Sequence, residues 1–271
     1  MTTPTISSAE GSLTQDQIRG RADNIPLSNR AGEPELSIII LGYREGDRLF
    51  GFIDHLISII QSLGITFEII LVANYWEGTD DRTPEVAKTI ARNHQSIKVV
   101  ARPKTDGMMG WDMRSGLEQA TGRKLAVIDG DGQFAPMDIV KAYEHLRDKN
   151  LALCQTYRIE RADGFKRLLI SKVYNLFFRA LFPGIPLHDI NAKPKVMTRE
   201  AYQSFQLTSK DWFIDAEIVL QARRNGYSMG EIPSVFGKRG GGKSYVNGIT
   251  VLEFLKNIFV SWIRETRYRR K

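Results

Sequence analysis

Lys124-Leu-Ala-Val-Ile-Asp-Gly-Asp-Gly-Gln133 is the stretch that decides the fold. Its first half is a short apolar run that predicts a buried strand over Lys124–Ile128. Its second half sets two carboxylates, Asp129 and Asp131, directly beyond that strand. Towards the N-terminus the pattern repeats. Leu36–Leu41 is apolar and β-branched and stops at Gly42, and Phe67–Val72 and Ile97–Ala101 read as two further strands. Between the first two, residues 47–63 carry Leu49, Phe52, Ile53, Leu56, Ile59, Ile60 and Leu63 at helical spacing, with Asp47 as the expected N-cap. Helices are also predicted near Pro84–Asn93 and around Gly110–Ala120. Strands alternating with helices through short connections predict a doubly wound α/β sheet with right-handed crossovers. Ligands of such sheets sit beyond the carboxyl ends of the strands. That rule singles out Gly42–Glu45, Ala73–Asp81, Arg102–Gly107 and Asp129–Gln133.

Composition narrows the class. The chain has 271 residues, 42% hydrophobic and 25% charged, which excludes collagen-like, coiled-coil and wholly disordered readings. A single cysteine, Cys154, excludes an intramolecular disulfide and a Cys-rich zinc site. The histidines are scattered, so zinc is not expected. The formal charge of +7 calls for an anionic partner. No zinc-finger, helix-turn-helix or RNA-recognition pattern accompanies that charge, and nucleic acid is not the expected partner. Residues 1–33 are polar and rich in Ser and Thr, lack the apolar region of a secretory signal, and read as a flexible arm. No window of about 18–20 residues is free of charge, so a spanning helix is not expected. The expected location is cytoplasmic, with peripheral contact on the cytoplasmic face of the membrane allowed for.

Asp129-Gly-Asp131-Gly-Gln133 has two physical readings. Carboxylates one residue apart at a strand end suit Mg²⁺ or Mn²⁺, which take oxygen ligands and keep positions for water and phosphate. The same residues are also ordinary turn formers, with Asp side chains accepting from backbone amides.

The ordered set of motifs resembles the GT-A glycosyltransferases of family 2, in particular the dolichyl-phosphate mannose synthase-like branch that acts on polyprenyl phosphates. The pieces run from Leu36 to Ser244: Tyr43-Arg-Glu45 after the first strand, Glu68-Ile-Ile-Leu-Val-Ala-Asn74, Gly107, Arg114-Ser-Gly116 to Gly122, and Asp129-Gly-Asp131-Gly-Gln133 with Pro136. Then come Arg158, Arg167 with Ser171 and Asn175, Asp189, Asp215-Ala-Glu217, Gly226, Glu231-Ile-Pro233 and Gly242-Lys-Ser244.

The resemblance implies a mixed sheet flanked by helices over residues 34–245; the apolar stripe and basic end of residues 246–271 read as an amphipathic helix after it. It implies a metal-dependent, inverting enzyme that moves a hexose from a GDP- or UDP-sugar to a polyprenyl phosphate. Gly42, Tyr43, Glu45, Asn74 and Asp106, with Asp129 and Gly130, would bind the donor. Asp129, Asp131 and Gln133 would hold Mg²⁺ or Mn²⁺. Arg158, Arg167 and Ser171 would bind the acceptor phosphate, and Asp131, Arg158 and Asp215 would be catalytic. Arg167 and Ser171 also make sense unaided, because i, i+4 residues share a helix face and Arg offers forked donors to phosphate. A phosphate acceptor needs no general base. For a hydroxyl on a soluble acceptor, the alternative, Asp215 would be that base.

Two departures stand out. Where the family has an acidic pair after the second strand, this chain has Ala73-Asn74-Tyr75-Trp76. Asn74 offers an acceptor and donors to a base edge. Where the family tends to have Gly and Phe, Asp189 is followed by Lys193-Pro-Lys195, whose lysines would face phosphates or water. Residues 165–187, and the stripe Val251, Leu252, Phe254, Leu255, Ile258, Phe259, Trp262 and Ile263 with its basic end, fit a bilayer interface or a membrane-anchored partner. A helix docked on its own domain fits the second segment equally.

Overall fold

A computed structural model describes residues 32–161, 165–238, 256–263 and 265–266, the side chains of 160, 161 and 165–167 excepted. The seven strands are β1 (Leu36–Leu41), β2 (Phe67–Val72), β3 (Ile97–Val100), β4 (Lys124–Asp129), β5 (Leu153–Arg161), β6 (Lys195–Thr198) and β7 (Met229–Phe236). The helices are α1 (Arg48–Gln61), α2 (Thr83–Asn93), α3 (Met109–Leu117), α4 (Met137–Asp148), α5 (Phe165–Leu181), α6 (Arg199–Ser204) and α7 (Ile214–Arg224). One sheet runs β3-β2-β1-β4-β6-β5-β7. β1 pairs in parallel with β2 and β4, and Leu41 stands opposite both Val72 and Asp129. β6 is antiparallel to β4 and β5, which makes the sheet mixed.

β1 is buried throughout because both faces of the sheet are covered. Its side chains alternate: Ile38 and Ile40 join Leu49, Ile53, Leu56 and Ile60 of α1 on one face. Ile39 and Leu41 join Met113 and Leu117 of α3, Phe178 of α5 and Ile218 of α7 on the other. The apolar stripe predicted for residues 47–63 is therefore the core face of α1. Asp47 holds the N-cap position but makes no side-chain cap, since its backbone is already helical (φ −62°, ψ −17°); its carboxylate lies 3.5 Å from Arg82 instead.

Of the C-terminal stripe, residues 256–263 are helical and docked on this same core. Ile258 is fully buried, Trp262 packs beside it, and Glu265 is paired with Arg224. Phe259 and Val260 stay exposed. Val251, Leu252, Phe254, Leu255 and the terminal basic residues lie outside the described residues, as do residues 1–31 of the arm and Gly242-Lys-Ser244. No helix among the described residues is long and apolar enough to cross a membrane.

Candidate active site

The carboxyl ends of β1 and β4 meet at the middle of the sheet. Gly130 N donates to the Leu41 carbonyl at 2.9 Å, drawing the two exits together. A Cβ at residue 130 would lie 3.1–3.3 Å from Leu49, Ile40 and the Leu41 carbonyl, so any side chain between the two carboxylates would press on these neighbours. Asp131 Oδ1 accepts from Gln133 N at 3.0 Å, and Gly132 turns the chain with φ +73°. That is the turn chemistry read from the sequence, and it leaves Asp129 and Asp131 partly exposed at the strand end. Gln133 is buried, and its amide donates to the Gly237 carbonyl at 3.1 Å.

Among the described residues no three His, Cys, Asp or Glu side chains gather as a metal cluster. Asp129 and Asp131 carry hard carboxylate oxygens of the kind that Mg²⁺ or Mn²⁺ takes.

Behind Asp129 lies an ion-pair network that the sequence did not announce. Lys193 Nζ is 2.9 Å from Asp215 Oδ2 and 3.6 Å from Asp129 Oδ2. Lys195 Nζ is 3.7 Å from Asp215 Oδ1 and donates to Gln155 Oε1, the Ile190 carbonyl and the Ala192 carbonyl at 2.5–3.1 Å. Asp215, in the first turn of α7, is 1% exposed, and its Oδ1 has no hydrogen-bond donor. Burial opposes the charge on Lys193, but Asp129 and Asp215 outweigh it and hold its pKa above the ordinary value. For Lys195 burial wins, and its pKa is pushed down to about 8.

The expectation that these lysines face phosphate or water is therefore corrected. Residues 193 and 195 flank the entry to β6, which is buried between β4 and β5, so both side chains end inside the protein. Asp215 is equally enclosed.

Asn74 is also redirected. It is 1% exposed; its Nδ2 donates to Asp112 Oδ1 and Ser115 Oγ, and its Oδ1 accepts from Arg102 N, each at 2.9 Å. Both halves of the amide are engaged inside the protein, which ties Asn74 to the start of α3. Asp112 forms a buried pair with Lys104 at 2.5 Å, and the same ammonium lies 4.5 Å from the centre of the Tyr43 ring. Burial raises the Asp112 pKa against the pull of Lys104. Glu45 is buried and paired with Arg48 at 2.8 Å. Asp106 is on the surface, 2.7 Å from Lys210. Met108 N and Trp111 N donate to the Lys210 carbonyl, and a Cβ on Gly110 would lie 2.5 Å from the Asp211 carbonyl. Asp211 in turn accepts from Asn257 Nδ2 at 2.7 Å.

On the other flank, Arg158 is held by Asp189 through two parallel contacts, Nε–Oδ2 at 2.6 Å and Nη2–Oδ1 at 2.7 Å. Its guanidinium lies 5.2 Å from the centre of the Phe236 ring. Asn175 reaches both Asp189 Oδ1 and Ser171 Oγ at 3.4 Å, and its Oδ1 accepts from Ile190 N at 3.0 Å. Arg158 and Ser171 are thereby joined through Asp189 and Asn175. The side chain of Arg167 lies outside the described residues. The inner edge of α5 is polar at Ser171 and Asn175, whereas Leu169, Ile170, Val173, Leu176 and Phe177 point outward, Leu176 being 65% exposed.

A model of the family "Glycosyl transferase family 2" matches residues 37–205. The chain is 27% identical over 231 residues to a dolichol-phosphate mannosyltransferase from Pyrococcus furiosus, covering 83% of this chain and 63% of that one. It is 27% identical over 184 residues to a dodecaprenyl-phosphate galacturonate synthase from Rhizobium johnstonii, covering 68% and 52%. It thus spans less than two thirds of the length of either relative. Among solved structures, glucosyl-3-phosphoglycerate synthase from Mycobacterium tuberculosis, in complex with Mn²⁺, UDP and phosphoglyceric acid, superposes with a TM-score of 0.66 at 15% identity, over 93% of this chain and 83% of that one. That likeness bears on the fold, which is the GT-A architecture.

Proposed function

The chain belongs to glycosyl transferase family 2, and from that premise we propose that it transfers a hexose, with inversion, from a nucleoside-diphosphate sugar to a polyprenyl phosphate. The observation that carries the acceptor class is the two-sidedness of α5. Its inner edge, Ser171 and Asn175, is hydrogen-bonded into the Asp189–Arg158 pair, while its outer face is an exposed apolar stripe. A ligand with a phosphate head and an isoprenoid tail matches both faces at once. The names of the relatives from Pyrococcus furiosus and Rhizobium johnstonii point the same way.

In this reading Asp129 and Asp131 hold the cation on the donor diphosphate, with Gln133 shaping their turn. The bound Mg²⁺ or Mn²⁺ supplies Lewis-acid neutralisation of the departing diphosphate. Tyr43, Glu45 and the backbone around Gly42 and Gly130 line the donor side. An acceptor phosphate oxygen attacks the anomeric carbon as the bond from that carbon to the diphosphate oxygen breaks, and the nucleotide leaves with the electron pair. No proton has to be removed, which suits a site where a further carboxylate, Asp215, is buried against two lysines. The task left to the protein is to hold two anions together, and the guanidinium of Arg158 supplies charge for it. The half-buried C-terminal helix and the α5 stripe supply a surface for peripheral membrane contact.

The test is product formation from a panel of nucleotide sugars with Mn²⁺ and a short-chain polyprenyl phosphate, with Asp131→Ala alongside. Metal-dependent glycolipid that vanishes in the variant is the expected result. Donor hydrolysis without glycolipid would overturn the lipid acceptor and redirect the search to soluble hydroxyls.

A further inference from the structure

Lys193 is the residue that neither the turn chemistry nor the acceptor flank explains. Its ammonium is almost wholly buried and placed between two carboxylates from separate elements, Asp129 at the end of β4 and Asp215 in the first turn of α7. The two distances are unequal: 2.9 Å to Asp215 is a hydrogen-bonded ion pair, whereas 3.6 Å to Asp129 is attraction without a hydrogen bond. The positive charge therefore has a fixed anchor on one side and a looser claim on the other. The looser claim falls on a carboxylate that is 30% exposed and two residues from Asp131.

We infer that Lys193 is a resident counter-cation for Asp129, which opposes binding of a divalent cation to the free protein and makes that binding depend on the nucleotide diphosphate arriving with it. This rests on reading Asp129 and Asp131 as cation ligands. The physics is Coulombic. A divalent ion shared by these carboxylates would sit within a few ångströms of an ammonium that cannot leave, because the Asp215 pair and the Met109 sulfur at 3.2 Å enclose it. In surroundings of lowered dielectric such like-charge proximity is costly. A diphosphate reverses the sign, since it attracts the metal and the ammonium alike. Lys193 thus acts as a positioning residue for the order of assembly, metal together with nucleotide, and not as a group that takes part in bond making.

The test is Mn²⁺ binding to the full-length protein, followed by the electron paramagnetic resonance of free Mn²⁺, with Mn²⁺ alone and again with UDP or GDP present. Lys193→Gln removes the charge while keeping a donor for Asp215. It is expected to tighten binding of Mn²⁺ alone by about tenfold or more, and the advantage should shrink when nucleotide is present. Asp215→Asn is the opposing arm. It leaves the ammonium to Asp129 and should weaken binding of Mn²⁺ alone. A mere packing role for Lys193 predicts no such opposition of sign. Unchanged or weaker Mn²⁺ binding in a folded Lys193→Gln protein overturns the inference, as does unchanged or tighter binding in Asp215→Asn should the first variant fail to fold. If no form binds Mn²⁺ even with nucleotide, the cation reading of Asp129 and Asp131 falls and the inference with it. Mn²⁺ binding that is indifferent to residue 193 sinks the inference alone.

Discussion

The two ends of one sheet handle buried charge in opposite ways. At the amino end, Glu68 on β2 accepts from Ser37 Oγ and Thr121 N at 2.6 Å and from Thr121 Oγ1 at 2.8 Å, and Lys98 closes the set at 2.6 Å. Both of its carboxylate oxygens are engaged. At the carboxyl end, Asp215 keeps one oxygen without a hydrogen bond, and Asp129 shares an ammonium at 3.6 Å. Saturated charge builds structure. Asp129 and Asp131, beyond β4 where ligands of such sheets sit, keep part of their surface in solvent, as a site for mobile ions requires.

The contrast can be broken most severely at Asp215. Asp215→Ala leaves Lys193 and Lys195 enclosed with less negative charge and should destabilise the fold by roughly 3–5 kcal/mol, measured by denaturant unfolding. Asp131→Ala should leave stability near wild type, because this residue is partly exposed, while cutting glycosyl transfer on the order of 10²–10³-fold. If it lowered stability as much as turnover, the carboxyl end would be structural too, and the comparison would fail.

Glu68 sharpens the other side. Burial alone would raise its pKa, but the donors from Lys98, Ser37 and Thr121 outweigh burial and bring it down to about 2. A carboxyl whose pKa is lower folded than unfolded stabilises above its unfolded value and loses that contribution as pH falls towards the folded one. Acid unfolding should therefore carry a Glu68-dependent component between about pH 4.5 and pH 2, worth roughly 2–3 kcal/mol at neutral pH. Glu68→Gln should remove it without changing KM for the donor. The smallest effect is expected at the α5 surface. Leu176→Ser should move stability by less than about 0.5 kcal/mol, yet reduce co-flotation with vesicles of anionic phospholipid.

Much of the fold was legible because the strands write it locally. Leu36–Leu41, Phe67–Val72 and Lys124–Ile128 are unbroken apolar runs with turn residues after them, and the observed strands differ from the reading by one residue at most. The helix predicted around Gly110–Ala120 ends earlier, at Leu117, since Gln119 and Ala120 N turn back to Gly116 and Leu117 in a tighter closing turn. Asp129 and Asp131 were legible for the same local reason, lying next to each other beyond a strand.

Lys193 and Lys195 were not. Whether a lysine faces water or a carboxylate 22 residues away depends on β6 being threaded between β4 and β5, and nothing within reach of the residue in sequence encodes that. The same holds for Lys104 and Asp112, whose charges are ordinary in sequence and buried only in three dimensions. Asn74 is the opposite case. Its position after β2 is that of a ligand contact, but Asp112 and Ser115, about forty residues on, claim its amide first.

The carbonyls of residues 209–211 lie so close to Gly110 that a single methyl group would collide with them, and Asp211 also holds Asn257 of the docked C-terminal helix. Residues 209–211 are thus a common foothold of α3 and of the helix over residues 256–263. The C-terminal helix is therefore joined to the start of α3 by a side-chain hydrogen bond and three consecutive backbone units, so a change at Asn257 is felt at the residue whose carbonyl faces Gly110.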